Sequence, residues 1–119
     1  MTTKRGKKIA AEKQFENKIK AELHRRGAWK VKFFANAYTP SGIPDVLACY
    51  KGRFLGIEVK GGSSYGLTEL QKYNLRLIRQ AGGIGICVYS SGWQQFLDIL
   101  DRLDAGDQVE ITEENYILK

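Results

Sequence analysis

The sequence predicts an α/β domain in which helices flank a mixed β-sheet, with elements in the order αβββαβα. Three observations carry this. Three segments repeat apolar residues at helical spacing, and each stops at a glycine. Between the first two lie three strand-like runs, of which VLACY and FLGIEV flank Lys51-Gly52 as a hairpin. A fourth strand-like run, IGICVY, follows the second helical segment, so a helix crosses from one strand to the next and the sheet needs helical cover.

The elements follow in order. Residues 1–8 gather Lys4, Arg5, Lys7 and Lys8 around Gly6 and read as a flexible basic arm, ahead of a single domain over 9–119. From Ile9 to about Arg26 the residues Ile9, Phe15, Ile19 and Leu23 mark one helix face, with Gly27 at the stop. WKVKFFA alternates as a strand, and NAYTPSG supplies turn chemistry before the hairpin. After GGSSYG, the residues Leu70, Tyr73, Leu77 and Ile78 mark a second helix that ends at Gly82-Gly83. Trp93, Phe96, Leu97, Leu100 and Leu103 mark a third, ending near Gly106, and the tail QVEITEENYILK is assigned no element.

With 119 residues, 43% hydrophobic and 27% charged, the chain can bury one core without disulfide or metal staples. No run approaches the roughly 18 apolar residues of a membrane span, and the basic start lacks the apolar stretch of a signal peptide. A cytoplasmic protein is expected, in the host cytoplasm if phage-encoded. Cys49 and Cys87 lie in apolar runs without CxxC spacing and are expected to be small buried side chains. His24, between Leu23 and Arg25-Arg26, reads as a surface residue, and Tyr38 and Tyr65 as loop residues that pack locally.

Charge is unevenly spread. Residues 1–92 hold 17 of the 19 Lys and Arg but only 6 of the 13 Asp and Glu, a balance of +11, against −5 over residues 93–119. A basic body with an acidic tail is the electrostatic footprint of a nucleic-acid binder. Lys72, Arg76 and Arg79 on the second helix, with Lys51 and Arg53 at the hairpin tip, are the candidate DNA contacts; solvation of exposed faces is the plainer alternative.

The chemistry concentrates in GIPDVLACYKGRFLGIEVK, residues 42–60. A two-residue or four-residue hairpin loop pairs residues whose numbers sum to 103, which sets Asp45 opposite Glu58; a three-residue loop separates them. Opposed side chains have Cβ atoms about 4.5–5.5 Å apart, within reach of a shared cation, and Lys60 lies on the same face as Glu58. Two facing carboxylates destabilise a bare sheet and call for a positive charge, from Lys60 or from a divalent metal. Glu58 between Ile57 and Val59 is a carboxylate embedded in an apolar strand, costly to leave unpaired.

Pro44-Asp45, a hairpin-length gap and then Glu58-Val59-Lys60 resemble the PD-(D/E)XK nuclease signature. The short gap, the lead-in Ser41-Gly42-Ile43 and the downstream Gln71 resemble the VRR-NUC family in particular, from about Glu12 to Trp93. The resemblance implies a restriction-endonuclease-like core and a structure-selective DNA endonuclease dependent on Mg²⁺ or Mn²⁺, with no small-molecule cofactor. It gives metal ligation to Asp45, Glu58 and the Val59 carbonyl, and assistance to the attacking water to Lys60. Gln71 matches the family glutamine, while Thr68-x-x-Gln71 is equally a capping box. The family's first-helix glutamate falls on Glu12 or Glu16, since both share the face of Phe15, Ile19 and Leu23.

Stand-alone phage-type members suggest a homodimer acting on branched DNA such as a four-way (Holliday) junction, as in DNA repair, because paired sites suit matched cuts. The alternatives are a flap or nicking nuclease, and a module that binds DNA without cutting it.

Overall fold

A computed structural model describes residues 4–32, 41–61 and 66–119. The elements are α1 (Lys4–Arg25), β1 (Trp29–Lys32), β2 (Val46–Tyr50), β3 (Arg53–Lys60), α2 (Glu69–Gln80), β4 (Ile84–Tyr89), a 3-10 turn (Ser90–Gly92), α3 (Trp93–Asp104) and β5 (Ile117–Leu118). They build a mixed five-stranded sheet in the order β1-β2-β3-β4-β5. β1, β2 and β3 form the expected antiparallel meander, and β4 joins β3 in parallel after the α2 crossover. No helix among the described residues is long and apolar enough to cross a membrane.

Alternation along the strands splits the apolar residues between two layers. Val46, Ala48, Leu55, Ile57, Val59, Ile84, Ile86 and Val88 meet Phe15, Ile19 and Leu23 of α1 and Phe96, Leu100 and Leu103 of α3 in the main core. Cys87 and Tyr89 point the other way, against Leu75 of α2 and Tyr116 of the tail. Burying a Leu or Phe contributes roughly 1.5–3 kcal/mol each, so α1 and α3 are fixed chiefly by these contacts.

Three expectations are corrected, and one lies outside the described residues. The helix begins at Lys4, so residues 4–8 are helical rather than an arm: Lys and Arg are good helix formers, and one Gly6 costs only about 1 kcal/mol. Residues 33–35 of the expected first strand, like Tyr38 and Tyr65, lie outside the described residues. Cys49 is exposed, because Trp29, Cys49 and Phe54 align across three strands on a part of the sheet that α2 does not cover. Three of the four residues chosen to mark the buried face of α2 stay largely open: Leu70, Tyr73 and Leu77 are 53%, 50% and 41% exposed, while the fourth, Ile78, packs over Gly56 and Leu75 is fully buried. His24 is exposed, as expected.

The tail is part of the fold. Ile117–Leu118 pairs in parallel with Cys87 and Val88, and the Cys87 N–H donates to the Tyr116 carbonyl at 2.9 Å. A two-residue strand is too short for period-two alternation to show in the sequence.

Glycine sets how closely α2 approaches the sheet. A Cβ on Gly85 would stand 2.4 Å from the Leu75 carbonyl oxygen, a backbone atom that moves only with the helix. Gly85→Ala is expected to lower stability by about 1–3 kcal/mol through overpacking, visible as a lower thermal midpoint. An unchanged midpoint would show that α2 is free to shift.

Candidate active site

The site lies at the end of the sheet where β2 begins and β3 runs out. Its register starts at the hairpin: Lys51 (φ +50°) and Gly52 (φ +79°) are both left-handed, as a two-residue type I′ turn requires, and they close the Tyr50–Arg53 pair. The ladder ends at Val46–Ile57, and the next step brings Asp45 level with Glu58. Asp45 Oδ2 accepts a hydrogen bond from the Val59 N–H at 2.9 Å, where another strand residue would have continued the ladder. In an extended strand a residue's N–H and C=O point to the same edge, so the Val59 carbonyl faces this side too.

Glu58 is 3% exposed. Its Oε1 accepts from Gln71 Nε2 at 3.1 Å, while Oε2 is buried without a hydrogen-bond partner. Burial, reinforced by the Asp45 charge and against the pull of Lys60, pushes its carboxyl up to about 9. Gln71 closes the helix cap and also contacts Glu58. Thr68 N–H donates to Gln71 Oε1 at 2.9 Å and Gln71 N–H donates to Thr68 Oγ1 at 3.1 Å, closing the capping box, which leaves the amide Nε2 to hold Glu58.

The structure separates Glu12 from Glu16. α1 lies directly on the end of β3, with the Glu12 backbone nitrogen 3.2 Å from where a Gly61 Cβ would stand. Burial raises the Glu12 carboxyl, Lys60 opposes the rise and Asp45 adds to it, so Glu12 belongs to the carboxylate group. Glu16 is 5% exposed and turned to lysines: Lys32 Nζ lies 2.7 Å from Oε1, and Lys13 and Lys20 each lie 3.4 Å from Oε2. Burial pushes its carboxyl up, but these lysines outweigh burial and hold it below the usual range.

Glu12, Asp45, Glu58, Lys60 and Gln71 line one cavity of about 360 Å³, with Lys13, Glu16 and Lys32 at the same mouth. The last three were not among the sequence candidates for binding except Glu16; the signals available were Lys13-x-x-Glu16 on one helix face and the alternating lysines of WKVK.

The predicted DNA contacts lie elsewhere, and none of them lines this cavity. Arg76 and Arg79 both reach Glu113 at 2.8 Å; Arg79 also donates to the Gly85 carbonyl and sits 4.2 Å over the Tyr116 ring. Lys72 pairs with Glu69, and Arg53 donates to the Gly82 and Val109 carbonyls. Lys51 pairs with Asp104 at the hairpin tip, roughly 20 Å along the strand from Glu58. Burial pushes the Cys87 thiol up to about 12, so it is no nucleophile.

Among the described residues no three His, Cys, Asp or Glu side chains group closely enough to hold a metal by themselves. The donor set still fits a hard cation such as Mg²⁺, which is held by one or two carboxylates with the rest water. The buried Glu58 oxygen without a hydrogen-bond partner lies beside a second carboxylate, and its raised carboxyl marks a place where a cation could replace a proton. Comparison with family models, curated proteins and solved structures finds no match.

Proposed function

We propose that this chain is a divalent-metal-dependent DNA endonuclease of the PD-(D/E)XK, VRR-NUC-like kind, hydrolysing phosphodiester bonds. The observation that carries the reading is the pairing of a half-buried Asp45 with a buried Glu58, one of whose oxygens lacks a hydrogen-bond partner, at an open cavity that also receives Lys60. A protein that only bound DNA would gain nothing from two neighbouring carboxylates facing a polyanion.

Asp45, Glu58 and the Val59 carbonyl would hold Mg²⁺ or Mn²⁺. When bound, the ion supplies Lewis acidity toward a phosphoryl oxygen and lowers the pKa of a water. The chain's own residues do the rest. The Val59 N–H fixes the orientation of Asp45, and Gln71 fixes that of Glu58. Lys60 places a positive charge where negative charge develops on the phosphate. Glu12, on the rim, accepts a hydrogen bond from an incoming water.

The test incubates end-labelled four-way junction, flap and plain duplex DNA with the protein in Mg²⁺, Mn²⁺ or EDTA. Cleavage is expected with either metal and none with EDTA, with the junction cut fastest; binding without cleavage in every metal would replace the enzyme by a binding module. Paired cutting calls for a homodimer. The exposed apolar residues Trp29, Val31, Phe54 and Leu77 suit such pairing, and a mass in solution twice that of the chain is expected.

A further inference from the structure

The corner of the cavity around Glu16 holds charge for which the carboxylate pair has no use. One buried carboxylate is shared by Lys13, Lys20 and Lys32, so these four groups carry a formal net charge of +2. Lys13 and Lys32 line the same cavity as Asp45 and Glu58, and the Lys13 side chain is 54% exposed. A cavity of about 360 Å³ therefore has a carboxylate end and a lysine-rich end.

Glu16 is badly placed to serve a metal, since both of its oxygens are taken by ammonium groups. It is well placed to serve the lysines. A lysine side chain loses rotamer freedom when fixed, and a buried carboxylate that anchors several of them meets that cost before any ligand arrives. The ligand that fits is a polyanion with neighbouring phosphates, one at the carboxylate end and the next at the lysines.

We propose that Lys13 and Lys32, held in place by Glu16, form a subsite for the nucleic-acid backbone phosphate next to the one being cut, and that Glu16 is a positioning residue. This rests on the endonuclease reading for its substrate. It moves the DNA path from α2 and the hairpin tip to α1 and β1.

The test measures binding of the intact chain to a labelled four-way junction in EDTA, where nothing is cut, across a range of salt. Each phosphate contact contributes about 0.9 to the slope of log K against log salt on duplex DNA. Lys13→Ala and Lys32→Ala are each expected to reduce the slope by about that amount, their combination by about twice it, and Lys13→Arg to restore it; Lys72→Ala should leave it unchanged. Glu16→Gln is expected to weaken binding at fixed salt even though it removes a negative charge, and tighter binding would overturn the positioning role. Lys13 is exposed, so its variants test the subsite even where Glu16→Gln or Lys32→Ala melts early. An unchanged slope in Lys13→Ala would remove the subsite. Inorganic phosphate at matched ionic strength is expected not to displace the DNA; displacement would reassign the corner to a free anion. A reduced slope without cleavage in any metal would keep the subsite and refute the endonuclease, whereas cleavage with an unchanged slope would do the reverse.

Discussion

Asp45→Asn is expected to lower metal-dependent cleavage by about 10³-fold, near 4 kcal/mol of lost transition-state stabilisation, while the chain stays folded and binds DNA in EDTA. Asparagine is the informative replacement because its amide oxygen can still accept from the Val59 N–H, the bond that ties Asp45 to β3. What it removes is one of the two charges that would hold the metal. The same change takes away the neighbour that reinforces the rise in the Glu58 carboxyl, so metal-free Asp45→Asn should melt no lower than the parent chain at neutral pH. Single-turnover cleavage with excess protein separates the two effects. A variant within about tenfold of the parent rate at saturating Mg²⁺ would take Asp45 out of the metal site.

Much of this site was legible in the sequence for a specific reason. Lys51-Gly52 admits a two-residue turn with both residues left-handed, the turn fixes the register, and the register brings Asp45 beside Glu58. Local chemistry thus determined a contact fourteen residues apart, from the Val59 N–H to Asp45. Where partners are distant, the same kind of reading ran out. Glu12 and Glu16 share one helix face, and what separates them is across the fold: Gly61 under Glu12, and Lys32 beside Glu16. Arg76 and Arg79 looked available for phosphate until Glu113, more than thirty residues later, returned to pair with both. The buried side of α2 was misread for a related reason. Spacing favoured Leu70, Tyr73 and Leu77 along with Ile78, but Gly85 and Gly56 open the sheet under Leu75 and Ile78 alone, and the helix settles where the backbone can come closest.

Glu58→Gln is expected to stabilise the metal-free chain at pH 8 by at least about 2 kcal/mol, a rise of several degrees in the thermal midpoint, while abolishing cleavage. Burial first and Asp45 second push the Glu58 carboxyl up to about 9 from its ordinary 4.5. Without metal, the folded chain therefore keeps a proton that the unfolded chain releases above about pH 4.5. Where the folded state binds more protons, stability falls as pH rises, so the contribution of Glu58 is most favourable below pH 4.5 and declines through the window up to about pH 9. The decline is steepest within that window, up to about 1.4 kcal/mol per pH unit. Glutamine is neutral at every pH and keeps a carbonyl oxygen for Gln71 Nε2, so the variant loses the decline without losing that contact. Glu12 titrates upward for similar reasons, but it is present in both chains and cancels in the difference. Thermal melts in EDTA across pH 5 to 8 should show the midpoints of the two chains diverging as pH rises. Adding Mg²⁺ should close the gap from the parent side, because a cation replaces the proton on Glu58 only where there is a carboxylate to receive it. Parallel melting curves in EDTA would mean that Glu58 ionises freely in the folded chain, and the case for a carboxylate pair awaiting a counter-charge would go with them.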